Sequence, residues 1–243
     1  MFLQSKITCF INKTCKNKNC SNIMKPKILI IAPHSKCQTV ERDCDLRAKE
    51  IAENMEKIAK GAGYEVILFE SDALRVNNDY NRKETFNTEW RQKIRDYIEK
   101  NKDYPIIIYE MHSFPNSDTE FNDSQMAFVA IDEYYDYAEE MREYLKKIGV
   151  KISSDINNTR VVNLMIDTTQ YDNIKRHYLI EINEDKKILN ENDTKKVLTE
   201  IFFTSLLPSC ILFCRKYIGY LIIIIILLLF ILFIIKPNYL KTP

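Results

Sequence analysis

Glycine is scarce, with four in 243 residues, at positions 61, 63, 149 and 219. Neither a GxGxxG turn nor a P-loop can be assembled from them, which removes the nucleotide-binding enzymes that cradle phosphate in Gly-rich loops. Histidine is also rare, with three, and tryptophan occurs once. Acidic residues are missing from both ends: positions 1–27 carry six Lys and no acid, and positions 215–243 carry four Lys or Arg and no acid. Taking those ten from the 35 basic residues leaves 25 against 34 acids between them, a formal −9. Such a core does not suit nucleic acid, because phosphate neutralisation needs a positive face. With 46% hydrophobic residues and only seven Pro, the composition is neither disordered nor low-complexity. The length suits one medium domain with appendages. Seven Cys, at 9, 15, 20, 37, 44, 210 and 214, form an odd and scattered set rather than a secreted disulfide framework, so a reducing compartment is the simpler reading.

One long uncharged run stands out. Tyr217 to Ile235 is 19 residues without a charge; as a helix rising ~1.5 Å per residue it reaches about 29 Å, the thickness of a bilayer's hydrocarbon. Arg215, Lys216 and Lys236 bracket it, and Tyr217, Tyr220 and Tyr239 suit the interface. The expectation is a C-terminal transmembrane helix over 217–235 with a short tail, 236–243, tethering a domain at 25–214 to a lipid bilayer as a tail anchor. The apolar patch in Met1–Ile11 is interrupted by Gln4, Ser5, Lys6 and Thr8, unlike a secretory signal. Residues 1–24 read as a disordered basic leader, and the domain as cytosolic.

Within 25–214, strand and helix patterns alternate. Lys27–Pro33, Tyr64–Glu70, Tyr104–Met111, Met126–Ile131, Arg160–Ile166 and His177–Asn183 are short apolar runs of the kind that fill a sheet covered on both faces. Between them, Asp43–Lys60, Asn87–Lys100 and Asp132–Ile148 carry apolar residues at helical spacing, and a last helix opens near Asp193 as its cap. This order predicts an α/β three-layer sandwich with a mostly parallel central sheet, whose ligands bind at the carboxyl ends of the strands.

Polar residues collect at those ends. The first strand runs into Pro33-His34-Ser35, the third into Glu110-Met111-His112-Ser113, and the loop after the second contains Asp79-Tyr80-Asn81-Arg82. Two of the three His thus reach one edge of the sheet, where neutral imidazoles are natural zinc ligands. A third ligand is expected from Glu41, Asp43 or Asp45: Asp45 lies on the inward side beside Ala48 and is preferred, Glu41 is second, and Asp43 aligns with Glu50 and Asn54 on the wet face. Capping of the helix is an alternative role for that carboxylate. Two His and one carboxylate leave a zinc position open to water, whose pKa falls toward neutrality. Glu181, an acid inside an apolar strand, is placed to carry protons. Arg82, with Asn81 beside it, could clamp a substrate carboxylate. His177 reads as structural, and Ser35 and Ser113 as hydrogen-bonding residues around the ligands.

In order along the chain, Pro33-His34-Ser35, Cys44-Asp45-x-x-Ala48, Asp79-x-Asn81-Arg82, Glu110-x-His112-Ser113 and Ile180-Glu181-Ile182-Asn183 resemble the motifs of the N-formylglutamate amidohydrolase family, over about residues 27–205. The resemblance implies a phosphorylase/hydrolase-like fold similar to the zinc carboxypeptidases. It also implies zinc held by His34, an acid and His112, Asn81 and Arg82 on a substrate carboxylate, and Glu181 as general base or acid. The reaction implied is hydrolysis of the amide C–N bond of a small N-acyl amino acid, with short peptides as alternative substrates. Where relatives carry Gly after Pro-His-Ser and Asp ahead of the second His, this chain has Lys36 and Glu110. A non-catalytic membrane-anchored binding protein on the same fold is the second reading.

Overall fold

A computed structural model describes residues 24–37, 44–116, 124–129, 135–153 and 170–207. The elements are β1 (Lys27–Ala32), α1 (Ala48–Gly61), β2 (Val66–Glu70), α2 (Glu89–Lys100), β3 (Ile106–Phe114), β4 (Met126–Val129), α3 (Tyr135–Lys147), β5 (Ile174–Asn183) and α4 (Glu191–Ser205). The five strands form one sheet in the order β2-β1-β3-β5-β4. β2, β1, β3 and β5 are parallel, and β4 closes one edge antiparallel to β5.

The apolar runs explain this order. All nine residues of β3 are buried, and every residue of β1 after Lys27 is too, as a strand covered on both faces requires. Alternate residues then feed two cores. Ile28, Ile30, Ile107, Tyr109, Tyr178 and Ile180 pack under α1, α3 and α4. Leu29, Ile31, Ile106 and Ile108 pack under Trp90, Ile94 and Ile98 of α2, with Tyr80 from the loop before it. The three layers expected from the sequence are present, loaded with three helices on one side and one on the other.

Several boundaries differ from the sequence reading. α1 begins at Ala48 rather than Asp43, because Asp45 turns away before the helix: its backbone N–H donates to the His34 carbonyl at 3.1 Å. β3 runs three residues past Met111, and α3 starts at Tyr135. α4 is capped by Asn190, not Asp193; the Asn190 side chain accepts from the Asp193 N–H at 2.9 Å and its amide donates back to the Asp193 carboxylate at 2.7 Å. The strand expected over Arg160–Ile166 and the run Tyr217–Ile235 lie outside the described residues. Among those described, no helix is long and apolar enough to cross a membrane.

Candidate metal centre at the carboxyl edge of the sheet

β1 and β3 are neighbours, so the turn after β1 and the end of β3 meet at one edge. His34 follows β1, His112 lies in the last turn of pleats of β3, and Asp45 returns between them from the segment before α1. His34 Nδ1 is 3.3 Å and His112 Nδ1 2.8 Å from the same oxygen, Asp45 Oδ2. One donor atom from each of the three residues lies within 4.8 Å of the others, and all three are buried. The imidazole rings meet edge to face, 5.0 Å between centroids. Asp45 caps nothing: the N-cap of α1 is Arg47, with no side-chain bond. Glu41 and Asp43 lie outside the described residues.

Each imidazole is gripped from its far side by a second carboxylate. His34 Nε2 is 2.9 Å from Asp79 Oδ1, and His112 Nε2 is 3.1 Å from Glu110 Oε1. A histidine that binds a metal commonly donates its other ring N–H to a carboxylate that fixes the ring, and both imidazoles here have such a carboxylate. Glu110 shares a face with His112 because they are two apart on a strand. Asp79 comes from the loop after β2, which is pinned at several points. The Ser71 N–H donates to the Ala32 carbonyl and to Ser35 Oγ, Tyr80 stacks on Trp90 at 4.3 Å, and Thr85 Oγ1 donates to the Asp79 and Arg82 carbonyls.

The electrostatics follow from burying so many acids together. Burial opposes the charge of Asp45, yet His34 and His112 hold its pKa well below the usual carboxylate range. The same contest at Asp79 is won by His34, Arg75 and Arg82, and at Glu110 by bonds to His112 and His177, which hold it down at about 2. Burial would lower the pKa of His112, but bonds to Asp45 and Glu110 raise it well above its ordinary value. Glu181 goes the other way: burial, which His112 offsets only in part, pushes it up to about 7. The donor set therefore fits a divalent cation of the zinc kind, with two imidazole nitrogens and a carboxylate oxygen surrounded by buried negative charge.

Glu181 pairs with His112 across β3 and β5, so the two side chains stand on one face of the sheet. Its carboxyl has no hydrogen-bond partner among the described residues. Arg82 is exposed, and its Nε donates to Asp79 Oδ2 at 3.2 Å. Asn81 turns inward instead: its amide nitrogen is 3.2 Å from Glu110 Oε1 and 3.3 Å from His112 Nε2. Lys36 is exposed and donates to the Asp72 carbonyl. Ser35 Oγ donates to the Ala32 carbonyl, while Ser113 Oγ donates to Glu184 and accepts from the Arg47 N–H.

Sequence reasoning missed two contributors. Arg75 reaches Asp45 Oδ1 at 3.3 Å and Asp79 Oδ2 at 3.5 Å, and no periodicity in its loop marks it. His177, read as structural and without a partner, has one: its Nε2 is 3.1 Å from Glu110 Oε2. The cysteine reading also needs correction, because Cys37 and Cys44 are joined as a disulfide. The chain doubles back where the Asp45 N–H meets the His34 carbonyl, and that brings the two sulfurs together across the segment linking the two ligands.

No protein-family model matches the chain, and no curated protein is similar to it in sequence. Among solved structures it is similar to the gene product Atu2144 from Agrobacterium tumefaciens, at TM-score 0.55 and 10% identity over 75% of this chain and 88% of that one. It also aligns with the CwlD amidase from Clostridioides difficile, solved in complex with the GerS lipoprotein, at TM-score 0.41 and 16% identity over 81% of this chain and 100% of that one. The likeness to Atu2144 shows a shared fold.

Proposed function

We propose that this chain is a zinc-dependent amidohydrolase that cleaves the amide C–N bond of a small N-acyl amino acid of the N-formylglutamate kind. The observation that carries this is the buried His34–Asp45–His112 group, each imidazole backed by a carboxylate, with the high-pKa Glu181 on the same face as His112. The ordered motifs that resemble the N-formylglutamate amidohydrolase family support the same reaction.

His34, Asp45 and His112 would hold the metal. When bound, it supplies Lewis acidity that polarises an amide carbonyl and makes water acidic near neutral pH. The other roles belong to the chain. A Glu181 carboxylate oxygen takes a proton from the attacking water and passes it to the amide nitrogen as the C–N bond breaks, giving an acid and a free amine. A carboxyl that titrates near 7 can both accept and release that proton at neutral pH. Arg82, at the exposed rim, pairs with the substrate's carboxylate, and Arg75 adds positive charge beside Asp45. Asn81 acts from behind, its amide donating to Glu110. The run Tyr217–Ile235 would tether the enzyme to a bilayer.

The test is release of amine from a panel of N-formyl amino acids, N-acetyl amino acids and short peptides by the full chain in lipid nanodiscs, after zinc content has been measured. One equivalent of zinc with turnover that Glu181→Gln abolishes is the expected result. Bound zinc without turnover on any member would make the chain a membrane-anchored binding protein, and turnover of peptides alone would make it a carboxypeptidase.

A further inference from the structure

The proposed reaction leaves one buried imidazole unused. His177 is 0% exposed, as is the Glu110 carboxylate beside it. Glu110 spends both oxygens on rings: Oε1 is 3.1 Å from His112 Nε2, and Oε2 is 3.1 Å from His177 Nε2. The register explains the meeting. His177 pairs with Ile108 and Glu181 with His112, so His177, Glu110, His112 and Glu181 lie along one face of two adjacent strands.

His177 Nδ1 is buried with no hydrogen-bond partner among the described residues. A buried N–H without an acceptor is the costlier orphan, and an unused lone pair is the more tolerable one. The ring proton of His177 therefore belongs on Nε2, where it is donated to Glu110. A carboxylate held at both oxygens cannot turn, so Oε1 stays aimed at His112 Nε2 and accepts its proton. In the neutral ring that a metal requires, this leaves His112 Nδ1, the nitrogen facing Asp45, as the free lone pair.

We infer that His177 is a positioning residue which, through Glu110, locks the orientation and tautomer of His112 for metal binding. The inference rests on the reading of His34, Asp45 and His112 as metal ligands. Its effect is on affinity: loss of such an outer partner costs 10–100-fold in metal binding.

The experiment is ¹H–¹⁵N NMR of ring N–H groups in the metal-free full chain, followed by zinc affinity from chelator competition. With three His in the sequence, the ring signals can be assigned by substitution. The wild type should show exchange-protected Nε2–H signals from both His112 and His177. His177→Phe should lose the His112 signal along with its own and bind zinc ~10–100-fold more weakly. His177→Gln, which keeps a donor toward Glu110, should restore the His112 signal and most of the affinity. A wild-type His177 protonated on Nδ1 overturns the inference without any variant, so a misfolded His177→Phe does not shelter it. Wild-type zinc affinity in His177→Phe with the His112 signal unmoved overturns it equally. Failure of the wild type to bind zinc sinks the metal reading, whereas the ring signals judge the locking of His112 independently.

Discussion

His112 and Glu181 sit opposite one another in the parallel pairing of β3 and β5, which sets an imidazole and a buried carboxyl side by side on one face of the sheet. Glu181→Gln keeps the shape and removes the proton carrier. Amine release should fall by ~10²–10⁴-fold with zinc content unchanged. Unaltered turnover in the variant would mean that another group moves the proton.

The same substitution should reveal a pH dependence in the chelated protein. Glu181 titrates at about 7 when folded, because burial disfavours its charge, and near the ordinary Glu value when unfolded. Between those values the folded state holds the extra proton, so stability falls as pH rises through 7. Gln has no such charge to bury. Glu181→Gln should therefore gain on the wild type by about 1–3 kcal/mol at pH 8, with the gain vanishing toward pH 4. Denaturant titrations of both proteins at several pH values read this directly, and a gain that grew toward acid would contradict it.

Asp79 and Arg82 are neighbours with separable effects. Asp79→Asn weakens the hold on His34 Nε2, and zinc affinity measured against a chelator should drop by ~10–100-fold. Arg82→Ala should leave zinc binding nearly intact and raise KM with little change in kcat, as expected when a contact serves substrate and transition state alike. Steady-state kinetics beside a metal titration distinguish the two, and identical profiles would argue against the assignment.

How far the site was legible in the sequence follows from what the sequence repeats. The strands announced themselves as apolar runs, and the rule that ligands bind at carboxyl ends put His34, His112 and Glu181 at one edge. Glu110 was readable too, since alternation alone sets it on the face of His112. Asp79, Arg75 and the inward turn of Asn81 were not, because a loop has no period and its side chains are aimed by Tyr80 stacking on Trp90 and by Thr85. Helical spacing sets Asp45 on the inward side beside Ala48, just before or within the first turn, and the structure places it before α1. The partner of His177 depended on the exact register of β5, which no pattern in that strand discloses.

The Cys37–Cys44 bond closes a short loop between two ligands. Reducing it, or replacing both residues by Ser, should lower stability by about 2 kcal/mol through the freed chain. Thermal melts with and without a dithiol reductant check this: the reductant should shift the wild type and leave the double variant where it is. A wild-type melt indifferent to reductant would show that the bond does not constrain the fold.

β3 is buried along its whole length between β1 and β5, and β5 is the last of the described strands to be made. Until the ribosome has released β5, the growing polypeptide displays the open side of β3 as an apolar template with every amide on that side unpaired. Fragments that stop short of Asn183 should accordingly precipitate or be held by chaperones rather than survive as partly working enzyme. For this chain, completion of the sheet and completion of the edge that carries His34, His112 and Glu181 are one event, set by when β5 arrives.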